Sequence, residues 1–282
     1  MKISQALKTA KNQLSSQNID GFSLDALILL KQATNLSKEQ IIFNPELDLE
    51  PNQEKTFFEL IARRANFEPI SHITNQREFF GEVFFVNQDV LDPRPDSESL
   101  IETAIEIFPD KLQKLEILEL GVGSGCLIIT LLKHYPLAAG NAVDISVEAL
   151  NICKKNAISL AADQRLNLNK SDLFANISTD KKFDLIISNP PYIPSKSIEL
   201  LQPEVRIYEP RLALDGGLDG LDFYRRIALD AKNFLNENGK IILEIGINQE
   251  VEIIEIFAKN NFTHIGSKAD LSGITRILSF AK

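Results

Sequence analysis

LEILELGVGSG, residues 115–125, is a short apolar run closed by glycines at alternate positions. Leu115, Ile117, Leu118 and Leu120 suit a buried strand interrupted only by acids. Gly121, Gly123 and Gly125 stand where such a strand must turn sharply and let a ligand approach the backbone. Residues 126–135 then carry helical spacing, and 142–145 read as a second strand. Strand, glycine turn, helix and strand make a βαβ unit, whose right-handed crossover implies a parallel sheet. The expected fold class is therefore α/β with an open, mostly parallel sheet. The spacing is not the dinucleotide fingerprint GxGxxG, because the last glycine comes one residue early.

Downstream, Ser146 caps a helix reaching to about residue 161, and strands follow at 166–168 and 183–188. After a long irregular stretch come a helix at 221–235, a strand at 240–246, a helix at 249–259 and closing strands at 263–265 and 275–280. Upstream, Pro93 and Pro95 hold an extended segment that leads into a helix at 97–108. Residues 69–90 place aromatic and β-branched residues around Gly81, which predicts a hairpin or two short strands. Residues 1–68 read as about four helices. Ile3, Leu7, Ala10 and Leu14 share one side; Leu24, Leu27 and Ile28 follow Ser23 as an N-cap; Ser37 with Gln40 makes a capping box; Phe57, Leu60 and Ile61 follow Pro51. The chain is expected to divide into a helical domain over 1–68, a hairpin linker over 69–90 and an α/β domain over 91–282. The helical domain reads equally as a docking surface for a macromolecule and as a stabilising cap.

With 282 residues, 44% of them apolar and 24% charged, the chain can bury a substantial core. Its formal charge of −9 disfavours a broad grip on nucleic acid phosphates and better suits a partner with a basic patch. Cys126 and Cys153 are too few for a disulfide scaffold, and with His72, His134 and His264 they match no metal-site spacing. A reduced, cytoplasmic protein without a structural metal is expected. The amphipathic N-terminus lacks the apolar core of a signal peptide, and no window approaches a membrane span.

The chemistry concentrates at strand ends. The strand 183–188 stops at Asn189-Pro190-Pro191-Tyr192, where two prolines fix φ twice and hold the rim rigid. Read alone, this tetrapeptide is an ordinary proline turn. After a buried strand in an open α/β sheet, it stands where such sheets place ligands. The Asn189 side-chain oxygen and the Pro190 carbonyl can each accept a hydrogen from a planar NH2 group, and Tyr192 offers a flat face. Asp144, 19 residues after Gly125, ends the second strand and can take both ribose hydroxyls. Glu119 precedes the glycine turn and suits an ammonium group, while Asp172 and Leu173 suit an adenine amino group and ring. Each acid alone reads as a cap or a solvated turn residue; at successive strand ends they form one ligand-sized arc.

ELGVGSG, Asp144, SDLF and NPPY, in this order, are similar to the Rossmann-fold methyltransferases that use S-adenosylmethionine. EFFGEVFFVNQDVLDPRPDSE, NPPYIP, YEPRLALDGGLDGLDFYRRI, LEIGINQ and DLSGITRI together resemble the peptide chain release factor glutamine N5-methyltransferases over nearly the whole chain. The resemblance implies methyl transfer to the glutamine of the Gly-Gly-Gln motif, with S-adenosylhomocysteine as product and the release factor as protein partner. It implies a cofactor site made of Glu119, Gly121, Val122, Gly123, Ser124, Gly125, Asp144, Asp172, Leu173 and Asn189. Asn189, Pro190, Pro191 and Tyr192 would face the substrate, with Asn189, Pro190 and Tyr192 catalytic and no metal. A monomer without nucleic acid or membrane partners is expected. Asp92 departs from the pattern, which has an apolar residue before Pro-Arg-Pro. A DNA adenine N6-methyltransferase, a ribosomal-protein glutamine methyltransferase and a silent cofactor-binding adaptor are the competing readings; the charge of −9 weighs against the first.

Overall fold

The computed structural model describes residues 1–270 and 272–282, so Leu271 of the DLSGITRI stretch lies outside the described residues. The chain forms two compact units, one of Met1–Gln76 with Gln202–Tyr208, the other of Arg77–Leu201 with Glu209–Lys282. No helix among the described residues is long and apolar enough to cross a membrane.

The first unit holds α1 (Ile3–Ser16), α2 (Phe22–Thr34), α3 (Lys38–Phe43), α4 (Pro51–Ala65) and α5 (Ile70–Thr74). Ile3, Ala6, Ala10 and Leu14 recur every three or four residues, so one face of α1 is buried in a core shared with Ala26, Leu29, Leu30, Phe57 and Ile61. The Ser37–Gln40 capping box starts α3, with Ser37 Oγ accepting from Gln40 N at 3.2 Å and Gln40 Oε1 from Ser37 N at 2.8 Å. Two expectations are corrected here. Ser23 is not the N-cap of α2: Gly21, at φ 71°, takes that place, and the buried stripe runs through Ala26, Leu29 and Leu30 while Leu24 faces outward. The stretch 69–90 is not all hairpin either, because Pro69 sits at the N-cap of α5 and the chain stays helical to Thr74.

The second unit begins with the hairpin β1 (Arg77–Phe79) and β2 (Glu82–Phe84), turning through Gly81 at φ 78°. A 3-10 turn at Pro95–Ser97 leads into α6 (Glu98–Ile107). Then come β3 (Glu116–Leu120), α7 (Cys126–His134), β4 (Ala139–Asp144), α8 (Val147–Ser159), β5 (Leu166–Lys170) and β6 (Phe183–Ser188). The helix α9 (Pro203–Tyr208) belongs to the first unit. The chain closes with α10 (Asp222–Asp230), β7 (Leu235–Glu244), α11 (Glu250–Lys259), β8 (Thr263–Ala269) and β9 (Thr275–Ala281).

The seven strands run in the order β5-β4-β3-β6-β7-β9-β8, parallel as far as β7 and antiparallel at β9 and β8. The chain builds outward from β3 to β5 and then returns to lay β6 on the other side of β3. That reversal opens a crevice at the carboxyl ends of β3 and β6, where ligands bind in sheets of this kind. The helix expected over 221–235 ends early: Phe183 N donates to Phe234 O at 2.8 Å and Leu235 pairs with Phe183, so β7 starts at Leu235 and bulges before Lys240.

Within the first unit, Arg64 is buried and its guanidinium bridges two carboxylates, Asp25 Oδ2 at 2.7 Å and Glu204 Oε1 of α9 at 2.8 Å. The Tyr208 hydroxyl donates to Asn66 O at 2.8 Å. This segment fell in the stretch 189–220, which the sequence left irregular.

Candidate active site

The crevice is built around the turn after β3. Gly121, Gly123 and Gly125 adopt φ of 74°, 51° and 81°, a left-handed region that side-chain-bearing residues rarely enter. At Gly121 and Gly123 a Cβ would meet nothing, so backbone faces open space; at Gly125 it would stand 2.5 Å from Cys153 Sγ, so close helix packing requires glycine there. Gly121 N and Val122 N both donate to Val143 O, and the side chain of buried Asn156 donates to Ser124 O at 2.9 Å, pinning the loop from behind.

A cavity of about 280 Å³ opens against this loop, lined among others by Glu119, Gly121, Val122, Gly123, Ser124, Asp144, Asp172, Leu173, Asn189 and Pro191. Asp144 Oδ2 accepts from Gly123 N at 3.0 Å and Oδ1 from Ser146 N at 2.9 Å, which fixes its carboxylate at the rim with lone pairs to spare. Burial raises its pKa, with the backbone donors opposing. Glu119 is buried, its Oε2 accepting from Ile128 N at 2.9 Å, and burial pushes its pKa well up. Asp172 is more committed than the sequence implied: its Oδ1 is paired with Arg226 at 2.7 Å. Leu173 lines the wall from a left-handed turn, φ 49°.

Asn189 lies at the other side of the cavity. Its Nδ2 donates to Ser97 Oγ at 3.1 Å, and Ser97 in turn donates to Glu244 Oε2 at 2.5 Å. Pro190 is buried, whereas Pro191 is half-buried and lines the cavity. Tyr192 does not present its face there. Its ring packs on the core beside β7, its hydroxyl stands 3.5 Å from Glu244 Oε1, and its carbonyl accepts from Gln249 Nε2 at 3.0 Å. The expected flat face is thus turned into the wall behind Asn189. That wall is tight: a Cβ on Gly216 would meet Pro191 O at 2.8 Å and one on Gly220 would meet Tyr192 O at 2.3 Å. The glycines of the DGGLDG stretch are the signal that this backing exists.

Ser97, Asn156, Glu209 and Glu244 are among the residues that the sequence reading did not single out. Arg94, on the cavity wall, is held bidentately by buried Glu209, at 2.6 and 2.8 Å. The divergent Asp92 is buried as well, with Oδ2 3.5 Å from Arg77 Nη1 and Oδ1 without a hydrogen-bond partner.

Family models match the chain twice, as the PrmC N-terminal domain over residues 5–74 and the methyltransferase small domain over 96–206. The release factor glutamine methyltransferase of Caulobacter vibrioides is 37% identical over 97% of this chain and 94% of its own length. That of Geobacter sulfurreducens is 38% identical over 98% and 95%. This chain belongs to the release factor glutamine methyltransferase family. Among solved structures, a methyltransferase from Pyrococcus furiosus covers 78% of this chain and 98% of its own at 18% identity and a TM-score of 0.54, a likeness of fold alone. SMU.776, solved in complex with SAH, gives 15% identity and a TM-score of 0.53 over 74% of this chain and 56% of its own.

Burial leaves the acids of this methyltransferase with a measurable signature. Burial outweighs Arg94 and raises the Glu209 pKa to about 7. A carboxylate whose pKa is higher folded than unfolded contributes stability below its unfolded value and loses it as pH climbs through the folded one. Glu209→Gln removes that loss. Relative to the native protein, its stability should therefore improve by up to about 3 kcal/mol between pH about 4.5 and about 8. Urea unfolding at both ends of this range measures it, and a pH-independent difference would contradict the raised pKa.

Proposed function

We propose that this chain transfers a methyl group from S-adenosylmethionine to the side-chain amide nitrogen of the glutamine in the Gly-Gly-Gln motif of peptide chain release factors. The observation that carries the reading is the fixed Asn189 amide: with its nitrogen held by Ser97, its oxygen is left for an acceptor NH2 group. The Pro190 carbonyl, which accepts no hydrogen bond among the described residues, is the second acceptor. Together they hold both hydrogens of a primary amide.

The cavity suits the cofactor. Open backbone at Gly121 and Gly123 admits close approach, the anchored Asp144 carboxylate suits ribose hydroxyls, and buried Glu119 suits an ammonium group. Val122, Leu127, Leu173 and Phe223 offer apolar wall to a base. Bound there, S-adenosylmethionine would supply an electrophilic methyl on a sulfonium. The protein's share is orientation. An amide nitrogen is a poor nucleophile because its lone pair is delocalised into the carbonyl, so two fixed acceptors aim it and favour the charge that develops before a proton leaves.

Labelled methyl transfer to purified release factor, ribosomal protein and duplex DNA in parallel tests the proposal, with the modified atom mapped by mass spectrometry. Label on glutamine N5 of the release factor supports it; label confined to either of the others overturns it. The helical unit is proposed to hold the body of the release factor. A short Gly-Gly-Gln peptide should then show much lower kcat/KM than the intact protein at similar kcat, and equal kcat/KM would remove the docking role.

A further inference from the structure

Ser97 has one hydroxyl hydrogen and gives it to Glu244 Oε2 at 2.5 Å. Its oxygen can then only accept from Asn189, and it does so from Nδ2 at 3.1 Å. This chain of two bonds has a direction. It draws the nitrogen end of the Asn189 amide inward and leaves the oxygen end outward. The carboxylate at its root is itself held: the Glu244 side chain is buried, Tyr192 Oη stands 3.5 Å from Oε1, and Tyr224 Oη donates to the Glu244 backbone oxygen at 2.8 Å. We infer that Glu244, acting through Ser97, is a positioning residue that sets the polarity of the Asn189 amide and so makes the site selective for an acceptor that brings NH2. The inference rests on the reading of Asn189 given above.

The reverse arrangement shows why polarity matters. A protonated Glu244 donates its own hydrogen to Ser97 Oγ, which frees the serine hydrogen to point at residue 189. Asn189 then satisfies it best by turning its oxygen inward, which presents NH2 to the cavity. Two NH2 groups facing one another cannot hydrogen-bond, and the glutamine loses one of its two acceptors. The competent state is therefore the ionised one. Burial raises the Glu244 pKa to about 7; of the groups facing it, Ser97 and Asn189 by hydrogen bonds and Arg276 of β9 by its charge favour ionisation, Asp96 beside Ser97 opposes it, and Tyr192, Tyr224 and Cys126 are neutral neighbours whose own pKa values the Glu244 charge raises.

The test is single-turnover methyl transfer to intact release factor at saturating S-adenosylmethionine, from pH about 5.5 to about 9, with cofactor affinity measured separately. For the native protein the rate should rise with pH and level off above about 7. Ser97→Ala should fall about 10-fold or more on the plateau with cofactor affinity within about twofold, as misorientation costs of this size are usual. Ser97→Thr, which restores a hydroxyl, should recover most of the rate. In a Glu209→Gln background, which removes the other carboxyl raised to about 7, Glu244→Gln has nothing to titrate there and should give a flat profile. A native plateau rate in Ser97→Ala, or a surviving acidic limb in Glu244→Gln in that background, overturns the inference. Should Glu244→Gln fail to fold, the Ser97→Ala and Ser97→Thr pair decides. Asn189→Ala runs alongside: a normal rate there would sink the reading of Asn189 itself, whereas its loss together with a normal Ser97→Ala sinks the positioning role alone.

Discussion

Asn189→Ala is expected to lower the single-turnover rate of methyl transfer by roughly 10²-fold or more, because it removes one of the two acceptors that aim the glutamine nitrogen. Cofactor affinity should change far less. The side chain that is lost bonds to Ser97 on its inner end and faces the acceptor on its outer end. Asn189→Asp keeps an acceptor oxygen but sets a second carboxylate against Ser97 and Glu244, where Asn189 now helps to hold the Glu244 charge. It should retain more activity than Asn189→Ala at the acidic end of the range and lose that advantage as pH rises. A near-normal rate for Asn189→Ala would mean that the amide is aimed by other groups.

Asp144→Ala should weaken S-adenosylmethionine binding by roughly 10²-fold. Two hydrogen bonds to a charged carboxylate are at stake on the ligand side, each of about 1.5–3 kcal/mol, partly offset by water that takes their place. The same substitution strips the acceptor from Gly123 N and Ser146 N, so the glycine turn loses a brace as well. Asp144→Asn keeps one acceptor oxygen and should fall between the two. Calorimetry on the folded variants measures this, and unchanged affinity in Asp144→Ala would remove the ribose role from this residue.

Gly121, Gly123, Gly125, Asp144 and Asn189 were legible in the sequence because each is a strand-end residue whose job is set by its immediate chain neighbours. The βαβ order places such ends along one edge, and all of them but Gly125, which packs against Cys153, line the cavity. Ser97, Asn156 and Glu244 were not legible. Their decisive partners lie far off in sequence: Ser97 meets Asn189 across 92 positions and Glu244 across 147, and Asn156 reaches Ser124 across 32. No local pattern marks a serine as the link between two strands' ends. Tyr192 was misjudged for a related reason, since an aromatic beside two prolines is compatible with either face until the glycines at 216 and 220 are seen packed behind it. The α2 start was missed because Ser23 is the better cap by chemistry, while the buried stripe of Ala26, Leu29 and Leu30 sets the register.

The assignment of α9 to the helical unit has a consequence for how the protein is made. Residues 1–76 leave the ribosome early, yet of the two carboxylates on Arg64 that stretch supplies Asp25; the other, Glu204, is translated more than a hundred residues later. The helical unit is therefore completed out of step with vectorial synthesis, by a segment that arrives after β6 and its Asn-Pro-Pro-Tyr end. Transplanting residues 1–76 onto another enzyme would carry across a bundle in which the Arg64 guanidinium lacks one of its two carboxylate partners and the Asn66 carbonyl lacks Tyr208. The unit is a module in space but not in the reading frame, and a graft that keeps its fold has to bring the seven residues from 202 to 208 with it.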